Sequence, residues 1–134
     1  MTENIYPPCF YRVSVKALIL KNRKILLVKE ADGRWQLPGG GLKAEESFLS
    51  GITREINEEL GVGVVKVSPQ PRYLWTLINN GKPKLMLVFL VKINSFNFKN
   101  DPEESVEIGF FSKEEILTMN LHPNLKELPN LLTN

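Results

Sequence analysis

The sequence has very little cysteine and histidine, with a single residue of each among 134. One cysteine excludes an intramolecular disulfide framework, which fits a protein kept in a reducing compartment. The sequence also lacks a large excess of charge of either sign, because 17 basic and 15 acidic side chains give a formal net charge of +2. So small an excess argues against a dedicated nucleic-acid binding protein.

Long hydrophobic runs are missing as well. The longest apolar stretches, such as residues 85–91, fall far short of the roughly 20 residues that a membrane-spanning helix needs. The opening segment MTENIYPPCF lacks the charged and apolar regions of a secretory signal. We therefore expect a cytoplasmic protein with no membrane partner, and the length predicts a single domain over residues 1–134.

The hydrophobic pattern predicts strands arranged around one strong helix. Alternating and β-branched segments predict strands at residues 11–20, 24–29, 62–67, 73–78, 84–93 and 105–111. Asn22-Arg23 and the run 79–81 predict hairpin turns, and Ser112 predicts the N-cap of a short late helix. The glycine run 39–41 after Pro38 predicts a stop to regular structure. The pattern as a whole indicates an α/β or α+β domain.

The strongest helix is predicted over residues 45–60, with Gly61 just beyond its end. Its apolar stripe recurs at three- and four-residue intervals and consists of Phe48, Leu49, Ile52, Ile56 and Leu60. Glu55, Glu58 and Glu59 are spaced i, i+3 and i+4, so they project from one face of the helix. We expect this acidic face to lie nearly opposite the apolar stripe.

The acidic face has two interpretations, a solvated surface or a cation site. Arg54 lies eight residues after Glu46, just over two helical turns, so it is expected to reach Glu46 or a neighbouring carboxylate. The glycine run ahead of the helix allows close approach of the backbone to a ligand and offers N–H donors. Carboxylates suit hard divalent cations, which proteins commonly share with substrate phosphates. Together these features predict a metal–phosphate site.

Residues 40–62 resemble the Nudix box, the signature of hydrolases that act on a nucleoside diphosphate linked to another moiety. That pattern is a glycine, five residues, a glutamate, seven residues, and then Arg-Glu-apolar-any-Glu-Glu-any-Gly-apolar. The residues that fill its nine defined positions are Gly40, Glu46, Arg54, Glu55, Ile56, Glu58, Glu59, Gly61 and Val62. The approach to the box and the late run 107–116 also look like the family, so the resemblance extends over residues 10–120.

The resemblance implies an α/β/α sandwich with a mixed β-sheet between helices. It also implies catalysis by Mg²⁺, with Mn²⁺ as a possible substitute, through attack of an activated water on a pyrophosphate phosphorus. The catalytic residues it assigns are Glu55, Glu58, Glu59, Arg54 and Glu46. Among these, Glu55, Glu58 and Glu59 are the expected metal ligands. Glu104 is the expected further metal ligand, with Glu103 and Glu107 as rivals.

The resemblance implies a nucleotide-type substrate and leaves its identity open. The expected substrate-binding residues are Gly39, Gly40, Gly41 and Trp35, although a tryptophan in a short apolar strand is more often a core residue. The sixteenth residue after the box is Ile78 rather than the proline associated with ADP-ribose enzymes. A MutT-like nucleoside triphosphate pyrophosphohydrolase is the first expectation. The alternatives are an ADP-ribose or nucleotide-sugar pyrophosphatase and a catalytically silent nucleotide-binding regulator. A homodimer is possible.

Overall fold

The computed structural model describes residues 9–99 and 107–133. The strands are Arg12–Leu18 (β1), Leu20–Lys21 (β2), Lys24–Lys29 (β3), Trp35–Gln36 (β4), Gly39–Gly41 (β5), Val64–Val67 (β6), Tyr73–Asn79 (β7), Lys82–Ile93 (β8) and Glu107–Phe111 (β9). The α-helices are Phe48–Leu60 (α1), Lys113–Ile116 (α2) and Leu128–Leu132 (α3), with a 3-10 turn at Pro123–Leu125. All six predicted strands are therefore present, and within the described residues their ends differ from the prediction by at most two residues.

The strands form two sheets. The larger has five strands in the order β5-β1-β8-β6, and β7 pairs with the other half of the long strand β8. In this sheet β1 and β8 run parallel, whereas β5, β6 and β7 are antiparallel to their neighbours. The smaller sheet has the order β2-β3-β4, with β9 also paired to β3. The β layer is thus mixed, as expected, but it is divided between two sheets.

Helices cover both sides of this β layer. On one side, Ile52, Ile56 and Leu60 of α1 pack into a buried cluster with residues of β1, β3 and β8. On the other side, Ile116 of α2 and Leu128 of α3 pack into a second cluster. The predicted α+β sandwich, with helices on both sides, is confirmed.

Short-range signals set most of the turns. Asn22 and Arg23 have φ values of 52° and 65° and connect β2 to β3, as the hairpin prediction requires. Asn80 and Gly81 make the same kind of two-residue turn between β7 and β8. Ser112 caps α2, and it forms a capping box with Glu115. None of the helices in residues 9–99 and 107–133 is both long and apolar enough to cross a membrane.

Candidate metal and phosphate site

The glycine run is a strand, which corrects the prediction that it would stop regular structure. Gly39 to Gly41 pair antiparallel with β1, so that Gly39 lies opposite Lys16. Gly39 has φ 128°, and a Cβ there would collide with the backbone of Val15 and Lys16. A Cβ on Gly40 would lie 2.7 Å from Oε1 of Glu55. The strand can lie between β1 and the acids of α1 because these glycines have no side chains.

Helix α1 begins three residues later than predicted. Ser47 is its N-cap, and its Oγ accepts a hydrogen bond from the Ser50 N–H at 3.0 Å. Glu45 has φ 69°, a left-handed conformation that a helix cannot contain. The helix ends as predicted, because Gly61 forms a left-handed C-cap whose N–H donates to the Asn57 carbonyl. The residues before Ser47 therefore belong to the loop that connects β5 to the helix.

Arg54 joins the acids of the loop and the helix, as its spacing predicts. Its Nε donates to Oε2 of Glu46 at 2.7 Å, and its Nη2 donates to Oε1 of the same carboxylate at 2.9 Å. Its Nη1 donates to Glu55 at 2.9 Å and to Glu58 at 3.4 Å. Nη2 also donates to the Gly41 carbonyl at 3.2 Å. One guanidinium thus holds three carboxylates and the glycine strand in a fixed arrangement.

The acidic face of α1 was expected to lie nearly opposite the apolar stripe, and this expectation is wrong. Glu59 follows Ile52 by seven residues, just under two turns of 3.6 residues, so both lie on the same side of α1. Glu59 is consequently packed under the glycine strand, where its Oε1 accepts the Gly39 N–H at 3.1 Å. The Glu55 side chain is 14% exposed and that of Glu58 is 51% exposed. Only Glu58 therefore offers a largely accessible carboxylate.

Burial and neighbouring charges separate the pKa values of the acids. Burial raises the pKa of Glu59 to about 8, although Lys16 and the Gly39 N–H lower it in part. Hydrogen bonds from Arg54, and then from the Lys43 N–H, lower the pKa of Glu46 to about 2. Glu46 is therefore a permanent partner for Arg54. For Glu59, Lys16 and the Gly39 N–H together do not offset the cost of burying the negative charge.

This donor set fits a hard divalent cation. Within the described ranges, no three His, Cys, Asp or Glu side chains form a ready-made cage for a metal ion. Mg²⁺ does not need one, because it usually keeps several waters and binds one or two carboxylates together with substrate phosphates. The Glu58 carboxylate is accessible, and Glu55 shares Nη1 of Arg54 with it. Glu59 in turn contacts Glu55, so a cation bound beside these acids would neutralise their charge.

The other predicted site residues have different surroundings. Trp35 is half-buried and packs against the second buried cluster. Its ring meets that of Phe111 edge-on, with 4.8 Å between the ring centroids. Its role in substrate binding stays a prediction. Glu103 and Glu104 lie outside the described residues. Their rival Glu107 is exposed at the start of β9, where it pairs with Lys29.

Sequence reasoning missed Lys16. It is a β1 residue, 5% exposed, whose Nζ donates to the carbonyls of Leu37 at 3.3 Å and Gly39 at 3.1 Å. Burial lowers the pKa of this ammonium, whereas Glu59 raises it. One signal was present in the sequence. A lysine between the apolar residues of YRVSVKALIL is unusual in a strand that is buried at the centre of a sheet.

The fold and this arrangement of acids are typical of hydrolases that cleave phosphate anhydrides. The family model described as the NUDIX domain matches residues 10–132, and the chain belongs to the Nudix family.

Similar proteins differ in what they act on. An RNA pyrophosphohydrolase of Orientia tsutsugamushi (strain Boryong) is 27% identical over 123 residues, which are 87% of this chain and 72% of that protein. The 8-oxo-dGDP phosphatase NUDT18 of Danio rerio is 28% identical over 116 residues, 81% of this chain and 34% of that protein. The crystal structure of a UDP-X diphosphatase matches with a TM-score of 0.80 at 26% identity, covering 96% of this chain and 64% of that one.

Proposed function

We propose that the chain hydrolyses the pyrophosphate linkage of a nucleoside di- or triphosphate derivative with Mg²⁺, and that a nucleoside triphosphate is the substrate. The observation that carries the proposal is the contact network of Arg54. Its guanidinium holds Glu55 and Glu58 on the helix and Glu46 and Gly41 ahead of it. A merely solvated acidic face has no need of a shared arginine at its centre.

Each residue of the site has a distinct part in this proposal. Glu58, Glu59 and Glu55 would hold the cation, and Glu58 is the acid most accessible to it. A divalent cation supplies neutralisation of the phosphate oxygens and a lower pKa for the attacking water. Arg54 orients Glu55 and Glu58, while the Gly39 N–H orients Glu59. These fixed positions reduce the reorganisation that the reaction would otherwise require.

A second candidate substrate is the 5′ end of an RNA. It is favoured by the similarity to the Orientia RNA pyrophosphohydrolase, which extends over most of both chains. Nucleotide sugars are the third, since the UDP-X diphosphatase has the same fold at 26% identity. These candidates share the pyrophosphate linkage, so they are alternatives for the group attached to it.

Hydrolysis is expected to depend on a divalent cation. A panel of nucleoside triphosphates, ADP-ribose, nucleotide sugars and a 5′-triphosphorylated RNA would be incubated with Mg²⁺, and the products would be separated from the substrates by ion-exchange chromatography and quantified. We expect one class to be hydrolysed, EDTA to abolish the reaction, and Mg²⁺ or Mn²⁺ to restore it. Full activity in chelator would contradict the role of the cation. Binding of a nucleotide without turnover of any compound would favour the silent regulator.

A further inference from the structure

The ammonium group of Lys16 is a buried charge that the proposed reaction leaves without a role. Burying an ammonium is costly unless it is hydrogen-bonded, and a methionine would fill similar space without that cost. The Lys16 side chain lies in the larger sheet and is almost wholly removed from solvent. Its hydrogen bonds go to backbone carbonyls of the segment that leads into β5.

Three successive carbonyls of this segment are bound by two successive residues of β1. Lys16 Nζ binds the carbonyls of Leu37 and Gly39, and the Ala17 N–H binds the carbonyl of Pro38 between them at 2.9 Å. The Pro38–Gly39 peptide is planar, so the direction of its N–H follows from the direction of its carbonyl. That N–H is the one that donates to Oε1 of Glu59.

We propose that Lys16 is a positioning residue, whose ammonium fixes the peptides on either side of Pro38–Gly39. The peptide between them, held at its carbonyl by the Ala17 N–H, then keeps its Gly39 N–H directed at Glu59 for cation binding. The proposal rests on the proposed function, since it gives a buried lysine outside the Nudix box a part in the same site. The positive charge of Lys16 also acts favourably on Glu59, Glu30 and Glu55.

Lys16→Met removes the charge and both hydrogen bonds while keeping a similar length. Lys16→Arg keeps a charge and several donors. Lys92→Met is the matched control, because Lys92 is an exposed residue of β8 that lies opposite Lys66 of β6. For each protein, the dissociation constant of Mn²⁺ would be measured by electron paramagnetic resonance without substrate, together with kcat and KM.

Lys16→Met is expected to raise the Mn²⁺ dissociation constant by about 10-fold or more and to lower kcat, with KM within about twofold of the wild type. Lys16→Arg should recover most of the affinity, and Lys92→Met should match the wild type. A dissociation constant for Lys16→Met within about twofold of the wild type overturns the proposal, as does an equal loss in the arginine variant. A wild-type protein that binds no Mn²⁺ and hydrolyses nothing contradicts the proposed function itself.

If circular dichroism shows that Lys16→Met is unfolded, the proposal would be tested on the wild-type protein instead. The Nζ resonance of Lys16 and the amide resonance of Gly39 would be followed by NMR during addition of Mg²⁺. We expect both to shift with one midpoint while the Nζ resonance of Lys92 stays constant. Unchanged resonances of Lys16 and Gly39 at saturating Mg²⁺ overturn the proposal.

Discussion

Replacing Glu59 by glutamine is expected to lower kcat/KM by about 100-fold or more, because a cation ligand contributes several kcal/mol and about 1.36 kcal/mol is a factor of ten in rate. Glutamine keeps the size of the side chain and an oxygen that accepts the Gly39 N–H. It removes the negative charge and puts an NH₂ group in place of the second carboxylate oxygen. Steady-state kinetics with Mg²⁺ measure this effect, and near-normal turnover would contradict a role for Glu59 in the site.

The same substitution is expected to leave the metal-free protein as stable as the wild type or more stable. Burial raises the pKa of Glu59 to about 8 from 4.5. A group whose pKa is raised on folding contributes stability below pH 4.5, and that contribution is lost as the pH rises through 8. Glutamine does not titrate, so the free energy of unfolding should shift in favour of the variant across this range. Urea unfolding in EDTA below pH 4.5 and above pH 8 measures it, and a shift in the opposite direction would contradict the burial argument.

Replacing Arg54 by methionine is expected to reduce both stability and activity. The substitution leaves the carboxylates of Glu46, Glu55 and Glu58 close together without the guanidinium that they share. It also leaves the Gly41 carbonyl without its hydrogen-bond donor. We expect the melting temperature to fall by about 5 °C or more. We also expect kcat/KM to fall by about 100-fold.

Arg72→Met is the matched control for Arg54→Met, since Arg72 is exposed and its guanidinium lies over the Tyr73 ring. It should change neither quantity appreciably. If Arg54→Met melted at the wild-type temperature, the contact network would not stabilise the loop and helix. Glu59→Gln and Arg54→Met are thus expected to have opposite effects on stability. The fold does not need the negative charge of Glu59, whereas it depends on the positive charge of Arg54.

The sequence was sufficient to predict the relation between Arg54 and Glu46. The two residues are only eight positions apart, so the long Arg54 side chain reaches Glu46 even though Glu46 lies in the loop before Ser47 and not on the same helix. The hairpin turns and the capping box at Ser112 were predictable for the same reason, since each depends on residues within four positions.

The surroundings of Glu59 and of the glycine run could not be predicted in this way. The run forms a strand because β1 lies beside it, and that contact joins residues about 25 positions apart in the chain. Glycine has a weak strand propensity, which the tertiary contact overrides. Once β5 is in place, it covers the side of α1 that carries Glu59, and an acid that spacing alone assigns to the surface becomes half-buried.

The helix start was mispredicted for a related reason. Glu45 and Glu46 have good helix propensity, but Glu46 is bound by Arg54 and by the Lys43 N–H, and this keeps both residues in the loop. Lys16 belongs to the same class of features. Its position in a strand pattern was evident, but its hydrogen bonds to the segment before β5 exist only in the folded chain.

The measurement that tests the central claim most directly is the rate of Mg²⁺-dependent hydrolysis in Glu58→Gln. Glu58 is half exposed, so its replacement should leave the melting temperature unchanged and separate catalysis from folding. Glu114→Gln, at an exposed position of α2, is the matched control. We predict that Glu58→Gln loses at least about 100-fold in kcat/KM while Glu114→Gln keeps the wild-type rate. Equal rates in all three proteins would contradict the assignment of the acidic face of α1 as the catalytic site.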